Sequence, residues 1–451
     1  MLAGAGAGLL PACGRRSALD AQVVILGAGL AGLYAAMLLE AEGYDVVVLE
    51  ALPRVGGRMM TIDHADGFTE GGGQQIGANY ARVLDVADRL GVALYSGAAP
   101  AHGTAHYLND EWSDGTVVVP QFPEPFRETS PGSVLFRLVA AEPGFEDAES
   151  WRDAGAKFDM SAEQFLAERG FDEAARALID RTLNGNSLNS YSMLNLFRTS
   201  QLYSQSRGMG PSRYVSGGSQ RLPEAMAASL SRPVRLETIV RDIRPNADGV
   251  VVRTGSGPIR AEWAVCTLPF PVLRTMPGLM GLAPQAEAIR ALPYTQIRQF
   301  HMRTERPFWS EDGLGANSWT DTACERIFAD TDREKASTGY LRGWVNGDGT
   351  AAWRDGDAAN RYAERFGTIR PAAKGALTPV AAVDWTRTNP HAGGAYAHWA
   401  PGQVRRFAGT MGDPIGRLHF AGEHVGVLHT GMEAAMESAE RASLAILEGV
   451  V

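Results

Sequence analysis

Hydrophobic and polar positions form a clear pattern near the start of the chain. A short apolar run at 23–26 has the length and composition of a buried strand. The residues after it place apolar side chains on one face of a helix, at Leu30, Leu33, Met37 and Leu38. A second apolar run at 45–49 ends at an acidic residue, Glu50. The pattern therefore predicts a strand, a turn, a helix and a second strand.

The turn between this first strand and the helix carries three glycines in the spacing Gly-x-Gly-x-x-Gly. In a strand–turn–helix context, this spacing is the fingerprint of dinucleotide binding. Gly27 permits the tight turn, Gly29 lets a pyrophosphate approach the backbone, and Gly32 lets the helix pack closely on the strand. A Rossmann-type unit is therefore predicted.

The start of the helix and the end of the second strand complete the predicted cofactor site. The N–H groups of Leu30 and Ala31, with the partial positive charge of the helix N-terminus, suit a phosphate. Glu50, about twenty residues beyond the glycines, is placed to accept hydrogen bonds from a ribose diol. FAD and NAD both use this fingerprint, so the glycines alone leave the choice between them open.

The loop that follows favours FAD. Its pattern, Glu-x3-Arg-x-Gly-Gly-Arg, resembles the flavin-containing amine oxidase superfamily, which includes monoamine, polyamine and L-amino-acid oxidases. The resemblance implies that the loop runs under the FAD, with contacts from Ala51, Arg54, Gly57 and Arg58. Basic side chains here can pair with phosphate oxygens.

Further segments resemble the same superfamily and follow its order along the chain, at 70–77, 214–230, 263–273 and 418–432. The resemblance implies that Gly73 and Gln74 pass close to the isoalloxazine ring, and that Gln75 contacts substrate. It also implies that Val240 contacts the adenosine half of FAD through its backbone.

The last of these segments opens the final predicted helix. The resemblance places Gly422 and Glu423 at the ribityl-phosphate region of FAD. It also implies that Met432 offers its backbone N–H to the flavin pyrimidine ring, because a helix N-terminus there would stabilise negative charge on reduced flavin.

This motif order implies an α/β fold, in which a Rossmann-type FAD-binding domain and an α+β substrate-binding domain are both discontinuous. The FAD-binding domain is predicted at 20–95, 211–285 and 403–451, and the substrate-binding domain at 96–210 and 286–402. Within the substrate-binding domain, Ser161 is predicted to begin a helix. Residues 1–19 are small and apolar, then polar, and fit either an export-signal remnant or a disordered extension.

The stretch HAGGAYAHW, at 391–399, contains two adjacent glycines that suit a close approach to the backbone. The resemblance implies that Tyr396 forms one wall of an aromatic cage facing the flavin, and we expect the glycines to make room for the flavin ring. It also implies that Trp385 packs near the flavin edge. Some members attach FAD through a cysteine directly before the tyrosine; Ala395 therefore predicts non-covalent FAD.

Two positions depart from the superfamily pattern. A lysine usually lies eight residues before the proline of Pro-Phe-Trp, and Gln299 occupies that position here. Gln299 can hold a water but carries no charge, so either the oxygen reaction is slow or another electron acceptor is used. Gly431 replaces the second aromatic wall of the cage, and His429 borders the space. We expect both to face substrate.

Composition limits the function. The net charge of −9 disfavours nucleic acid, whose binding needs clustered basic residues. Three cysteines without a Cys-x-x-Cys pair predict no metal cluster. The chain contains no run of about 18 apolar residues, so no membrane-spanning segment is predicted.

The sequence therefore predicts an FAD-dependent enzyme that oxidises the C–N bond of a small-molecule amine by hydride transfer to flavin. The imine product would hydrolyse to a carbonyl, and oxygen or a redox partner protein would accept the electrons. One alternative is a desaturase-like flavin dehydrogenase acting on a non-amine substrate; another is a non-catalytic flavin-binding accessory protein. A periplasmic or secreted location is expected, with the cytoplasm as the alternative, and a homodimer stays open.

Overall fold

The computed structural model of the chain describes residues 19–97, 103–147, 149–153, 157–281, 285–332 and 337–451. The predicted export remnant therefore lies outside the described residues, apart from Leu19.

Strands and α-helices are the main regular elements of the described chain. The strands are β1 (Ala21–Leu26), β2 (Val46–Leu49), β3 (Met60–His64), β4 (Gly67–Gly72), β5 (Leu94–Ser96), β6 (Ala105–Leu108), β7 (Glu111–Asp114), β8 (Arg213–Val215), β9 (Val240–Asn246), β10 (Gly249–Thr254), β11 (Gly257–Cys266), β12 (Ile297–Thr304), β13 (Ser318–Thr320), β14 (Arg326–Asp332), β15 (Ser337–Asn346), β16 (Leu377–Trp385) and β17 (Leu418–Phe420). The α-helices are α1 (Leu30–Ala41), α2 (Ala81–Arg89), α3 (Pro131–Ala140), α4 (Ala162–Ala167), α5 (Glu173–Asp180), α6 (Met193–Gln205), α7 (Arg221–Ala228), α8 (Phe270–Leu273), α9 (Pro277–Met280), α10 (Ala286–Ala291), α11 (Trp309–Asp312), α12 (Ala358–Ile369), α13 (Gln403–Phe407) and α14 (Gly431–Leu447).

The first sheet contains the predicted strand–helix–strand unit. Its strands lie in the order β2-β1-β11-β10-β9, and β17 pairs with the second half of β11. β1 runs parallel to both β2 and β11. Val23 and Ile25 of β1 pack into one core and Val24 and Leu26 into another, as expected for a parallel strand that is covered on both faces. The predicted unit is confirmed.

The second sheet has the order β16-β12-β15-β14-β13-β6-β7. All its neighbouring strands are antiparallel except β13 and β6. One face packs Phe300 and Leu341 against Phe366 of α12. Successive residues of a strand point to opposite faces. The residues directly before and after Phe300 on β12, and those directly before and after Leu341 on β15, therefore face away from α12.

The two sheets draw on alternating parts of the chain. Strands of the first sheet come from 21–49, 240–266 and 418–420, and those of the second from 105–114 and 297–385. The predicted domains require this alternation, although the domain boundaries themselves stay a prediction. None of the described helices combines the length and the apolar character needed to cross a bilayer.

Candidate active site

The glycine turn between β1 and α1 has the geometry of a phosphate-binding turn. Gly27 has a φ of +102°, a conformation that favours glycine. A side chain at Gly32 would overlap the carbonyl of Gly27, whereas a Cβ at Gly29 would meet no heavy atom within 4 Å. No side chain caps the start of α1, and its first turn contains no acidic residue. The N–H groups of Leu30 and Ala31 therefore begin the helix beside open space.

Glu50 lies beside this turn. Its carboxylate accepts hydrogen bonds from the N–H groups of Ala28 (2.8 Å) and Leu52 (2.9 Å). The N–H of Glu50 donates to the carbonyl of Arg235 at 2.9 Å, and the chain then runs on to Val240 at the start of β9. A carboxylate has about four acceptor sites, so Glu50 keeps capacity for a further donor.

The loop from Ala51 to Arg58 folds back over the turn. Gly56 donates to the carbonyl of Ala28 at 2.8 Å, and a Cβ at Gly57 would lie 3.4 Å from the Cα of Gly29. The guanidinium of Arg54 donates to two carbonyls of its own loop, those of Val55 and Gly57. Arg54 therefore stabilises the loop that covers the turn.

Arg58 joins three distant segments of the chain. Its Nη1 donates to the carbonyl of Ala395 at 2.9 Å and to Oε1 of Glu423 at 2.8 Å. The same carboxylate oxygen accepts the N–H of Ala397 at 3.1 Å. Gly422, with a φ of +135°, precedes Glu423 and is held by hydrogen bonds with the hydroxyl of Ser438 in α14. The motifs around Arg58, Tyr396 and Glu423 thus converge.

An aromatic cluster lies beside this convergence and consists of Trp344, Trp385 and Tyr396 with Ile297 and Val383. The hydroxyl of Tyr396 has no hydrogen-bond partner among the described residues, although its ring is partly buried. Burial raises the pKa of Tyr396 above its ordinary value, so the phenol stays protonated. The cluster offers a largely apolar surface with one neutral hydroxyl.

The glycine-rich segment after β4 is fixed against this cluster. Trp385 donates from Nε1 to the carbonyl of Gly71 at 2.7 Å. Gly73 has a φ of +66°, and a side chain there would overlap Met59. Oε1 of Gln74 accepts a hydrogen bond from Arg342 at 3.1 Å.

Gln299 lies on the face of β12 that carries Ile297. It is 1% exposed, and it sits opposite Val383 on β16 and Trp344 on β15. Its Oε1 lies 3.2 Å from Nε2 of His301. Arg298, on the other face, forms an ion pair with Asp384 at 2.9 Å. The neighbouring arginine therefore cannot supply the charge that a lysine would bring to position 299.

The space beside Gly431 is occupied from another element. Gly431 begins α14 with a φ of +63°, and a Cβ there would lie 3.3 Å from the hydroxyl of Tyr80. Tyr80 directly precedes α2, and burial raises its pKa to about 12. Met432 follows Gly431 at a helix start that no side chain caps. The space next to Gly431, where a gap was expected, is thus occupied by the phenol of Tyr80.

His429 is held by its backbone and its ring. Its N–H donates to Glu437 at 2.9 Å, and its Nδ1 lies 3.3 Å from the same carboxylate oxygen. The carbonyl of His429 accepts a hydrogen bond from Arg198. These contacts hold the backbone and the ring of His429 in the loop before α14, and its contact with substrate stays a prediction.

Comparison with known proteins agrees with this geometry. The family model for flavin containing amine oxidoreductases matches residues 30–447. The chain belongs to the flavin-containing amine oxidoreductase family.

Relatives and solved structures cover nearly the whole chain. An L-amino-acid oxidase from Siganus canaliculatus is 28% identical over 93% of this chain and 84% of that protein. An L-amino acid dehydrogenase from Synechocystis is 26% identical over 94% of each chain. The structure of cyclohexylamine oxidase from Brevibacterium oxydans matches with a TM-score of 0.78 at 22% identity, covering 95% of this chain and 99% of that one. The predicted two-domain amine oxidase-like fold is confirmed.

Membership of the flavin-containing amine oxidoreductase family confirms the predicted enzyme class and FAD as the cofactor. It favours the amine reaction over the desaturase-like and accessory alternatives. The described residues fit FAD, because Gly29 leaves open space at an uncapped helix start. The carboxylate of Glu50 lies beside that space.

The structure brings most of the predicted site residues together but not all of them. Gln75 is exposed, and its Nε2 donates to the hydroxyl of Ser212 at 2.9 Å. Two aromatic residues escaped sequence reasoning, Trp344 and Tyr80. The alternation along β15, which puts Arg342 and Trp344 on one face, is the signal that could have indicated Trp344.

Proposed function

We propose that this enzyme oxidises the C–N bond of its substrate at the aromatic cluster, with non-covalently bound FAD. The observation that carries the proposal is the contact of Arg58 with both Ala395 and Glu423, because it joins the predicted FAD loop to the residues beside Tyr396. The presence of Ala395, where covalent members have cysteine, supports non-covalent attachment.

When bound, FAD supplies the acceptor for a hydride from the carbon next to the amine nitrogen. In our proposal Tyr396 forms a wall of the substrate site, where an aromatic face favours a developing positive charge on nitrogen. Trp385 and Ile297 exclude water, which protects the imine until it leaves. Gln299 positions a water, and Gln74 holds the glycine-rich segment through Arg342.

A reduction assay tests this proposal. The purified protein should be yellow and should release its flavin in acid. Under anaerobic conditions, a panel of primary, secondary and α-amino-acid amines should include members that bleach the flavin. Tyr396→Phe should alter the bleaching rate, whereas Tyr44→Phe, at a partly buried tyrosine packed against the core that contains α1, should not. No bleaching with any amine would overturn the proposal.

The remaining features of the proposal concern the surroundings of the reaction. Oxygen or a redox partner protein takes the electrons, and the recovery rate of colour in air distinguishes the two. The discontinuous FAD-binding and substrate-binding domains are supported by the alternating origin of the two sheets. Export rests on residues 1–19 and is tested by the N-terminal sequence of the mature protein. Light scattering tests the homodimer.

A further inference from the structure

A partly buried arginine shares the sheet face that carries Gln299. Arg326 on β14 lies opposite Trp344 on β15, and Trp344 lies opposite Gln299 on β12. Residues directly opposite one another on antiparallel strands share a face. The next residue, Ile327, packs into the core on the other face. Arg326 therefore points to the same side as the aromatic cluster.

The guanidinium of Arg326 has only neutral partners. Its Nη1 donates to the carbonyl of Thr182 at 3.3 Å, and its Nη2 donates to Oδ1 of Asn184 at 3.1 Å. Its buried Nε has no hydrogen-bond partner. Within the described parts of the chain, Arg326 forms no salt bridge. A guanidinium has five N–H donors, and the described residues accept two of them, so three are left for a ligand.

The nearby acids do not pair with Arg326. The carboxylate of Glu325 accepts the N–H of Asn346 at 2.9 Å, and burial raises its pKa to about 7. Near neutral pH, Glu325 is therefore only partly ionised. Asp180 accepts the N–H of Leu188 at 2.7 Å, and burial raises its pKa as well. The positive charge of Arg326 is incompletely balanced by the protein.

Arg326 also acts on the tyrosine of the proposed site. Burial raises the pKa of Tyr396, and among charged groups Arg326 opposes that rise most strongly. Phe328, two residues along β14, packs edge-on against Trp344 of the aromatic cluster with ring centroids 6.1 Å apart. A ligand in contact with Tyr396 thus comes within reach of a partly buried cation.

We propose that Arg326 binds a carboxylate of the substrate, so that the enzyme oxidises amines that carry an acid group. The inference rests on the proposed function and adds the substrate class. A carboxylate would supply the anion that the partly buried guanidinium lacks and could accept two parallel N–H bonds. The carboxylate stays unchanged in the reaction. Two electrons and a proton leave the carbon as hydride to FAD, a C=N bond forms, and water later releases the nitrogen.

Matched substrate pairs test this assignment. L-phenylalanine is compared with phenethylamine, and 6-aminohexanoate with hexylamine, by anaerobic flavin reduction. Arg326→Gln should lower kcat/KM about 100-fold for the acidic member that the enzyme prefers, and less than about threefold for its neutral partner. Arg326→Lys should recover part of the loss, since it restores the charge but not the fork. Arg406→Gln, at an exposed surface arginine, is the matched control.

Benzoate binding gives a readout that does not depend on turnover. Calorimetry should show benzoate binding to the wild-type holoenzyme and at least about tenfold weaker binding to Arg326→Gln. Arg326→Lys serves the same comparison if Arg326→Gln does not fold. The pair that responds, α-amino acid or ω-amino acid, tells where on the substrate the carboxylate lies.

The outcomes separate the two proposals. Equal losses for acidic and neutral substrates, or a wild-type enzyme with no preference for the acidic member of either pair, would overturn the role of Arg326. A wild-type enzyme that oxidises none of the substrates would overturn the proposed function. In that case benzoate binding still decides on Arg326, because unchanged affinity in the variants contradicts carboxylate binding.

Discussion

Replacing Glu437 with glutamine should destabilise the protein, and the loss should depend on pH. Glu437 is 5% exposed, and it organises the loop before α14 by accepting the N–H groups of Val427, Leu428 and His429. Burial acts to raise its pKa, but the hydrogen bonds from the His429 ring and these N–H groups outweigh burial and lower it to about 2. The ionised form is therefore favoured in the folded state.

The magnitude follows from the difference between this value and the ordinary 4.5. A shift of one pKa unit corresponds to about 1.4 kcal/mol. The ionised carboxylate of Glu437 therefore contributes about 3 kcal/mol to the free energy of unfolding. Because the folded-state pKa of Glu437 is depressed, this stability is present above pH 4.5 and is lost as pH falls towards 2. About 1 kcal/mol is lost at pH 4 and about 2 kcal/mol at pH 3.

Urea denaturation of the holoenzyme, followed by tryptophan fluorescence, measures the effect. Glu437→Gln should be less stable than wild type by about 3 kcal/mol at pH 7, and the gap should narrow to about 1 kcal/mol at pH 3. Glu448→Gln, at an exposed residue beyond the same helix, should leave stability unchanged at both values. A gap that is constant with pH would refute the argument, because it would show that the charge of Glu437 contributes nothing.

Three further changes probe the proposed site. Gln299→Lys should speed the reaction of the reduced enzyme with oxygen in stopped-flow measurements, because a positive charge favours the anionic products of oxygen reduction; an unchanged rate would contradict this. Ala395→Cys should leave yellow flavin on the acid-precipitated protein, and a colourless precipitate would contradict our placement of that residue. Gly431→Ala should lower stability by roughly 1–2 kcal/mol, as a left-handed conformation costs a residue with a Cβ. Thermal melting measures this loss, and an equally stable variant would refute it.

Local signals in the sequence predicted local structure well. The strand–helix–strand unit and its glycine turn depend on neighbours within one short segment, so spacing alone indicates them. The hydroxyl of Ser161 accepts the N–H of Gln164 at 3.0 Å, which confirms the predicted helix start. That helix, α4, is short, and Gly170, with a φ of +83°, lies between it and α5.

The two glycines before Tyr396 show where local reasoning fails. We interpreted Gly393 and Gly394 as room for a flavin ring. A side chain at Gly393 would instead overlap Pro271, and one at Gly394 would overlap Tyr294. Spacing indicates that a close approach occurs, but only the tertiary structure shows which group approaches.

The aromatic wall beside Gly431 shows the same limit for a binding site. The prediction of a missing wall rests on position 431 alone, where glycine replaces the aromatic residue that is usual in the superfamily. In the structure α2 packs against α14, where Glu433 accepts the N–H groups of Arg82 and Val83. This docking brings Tyr80, the residue just before α2, against Gly431. The phenol of Tyr80 thus lies where a side chain at position 431 would lie. A Cβ there would already be in tight contact with its hydroxyl, at 3.3 Å, so a bulky residue at position 431 and Tyr80 in its present place exclude each other.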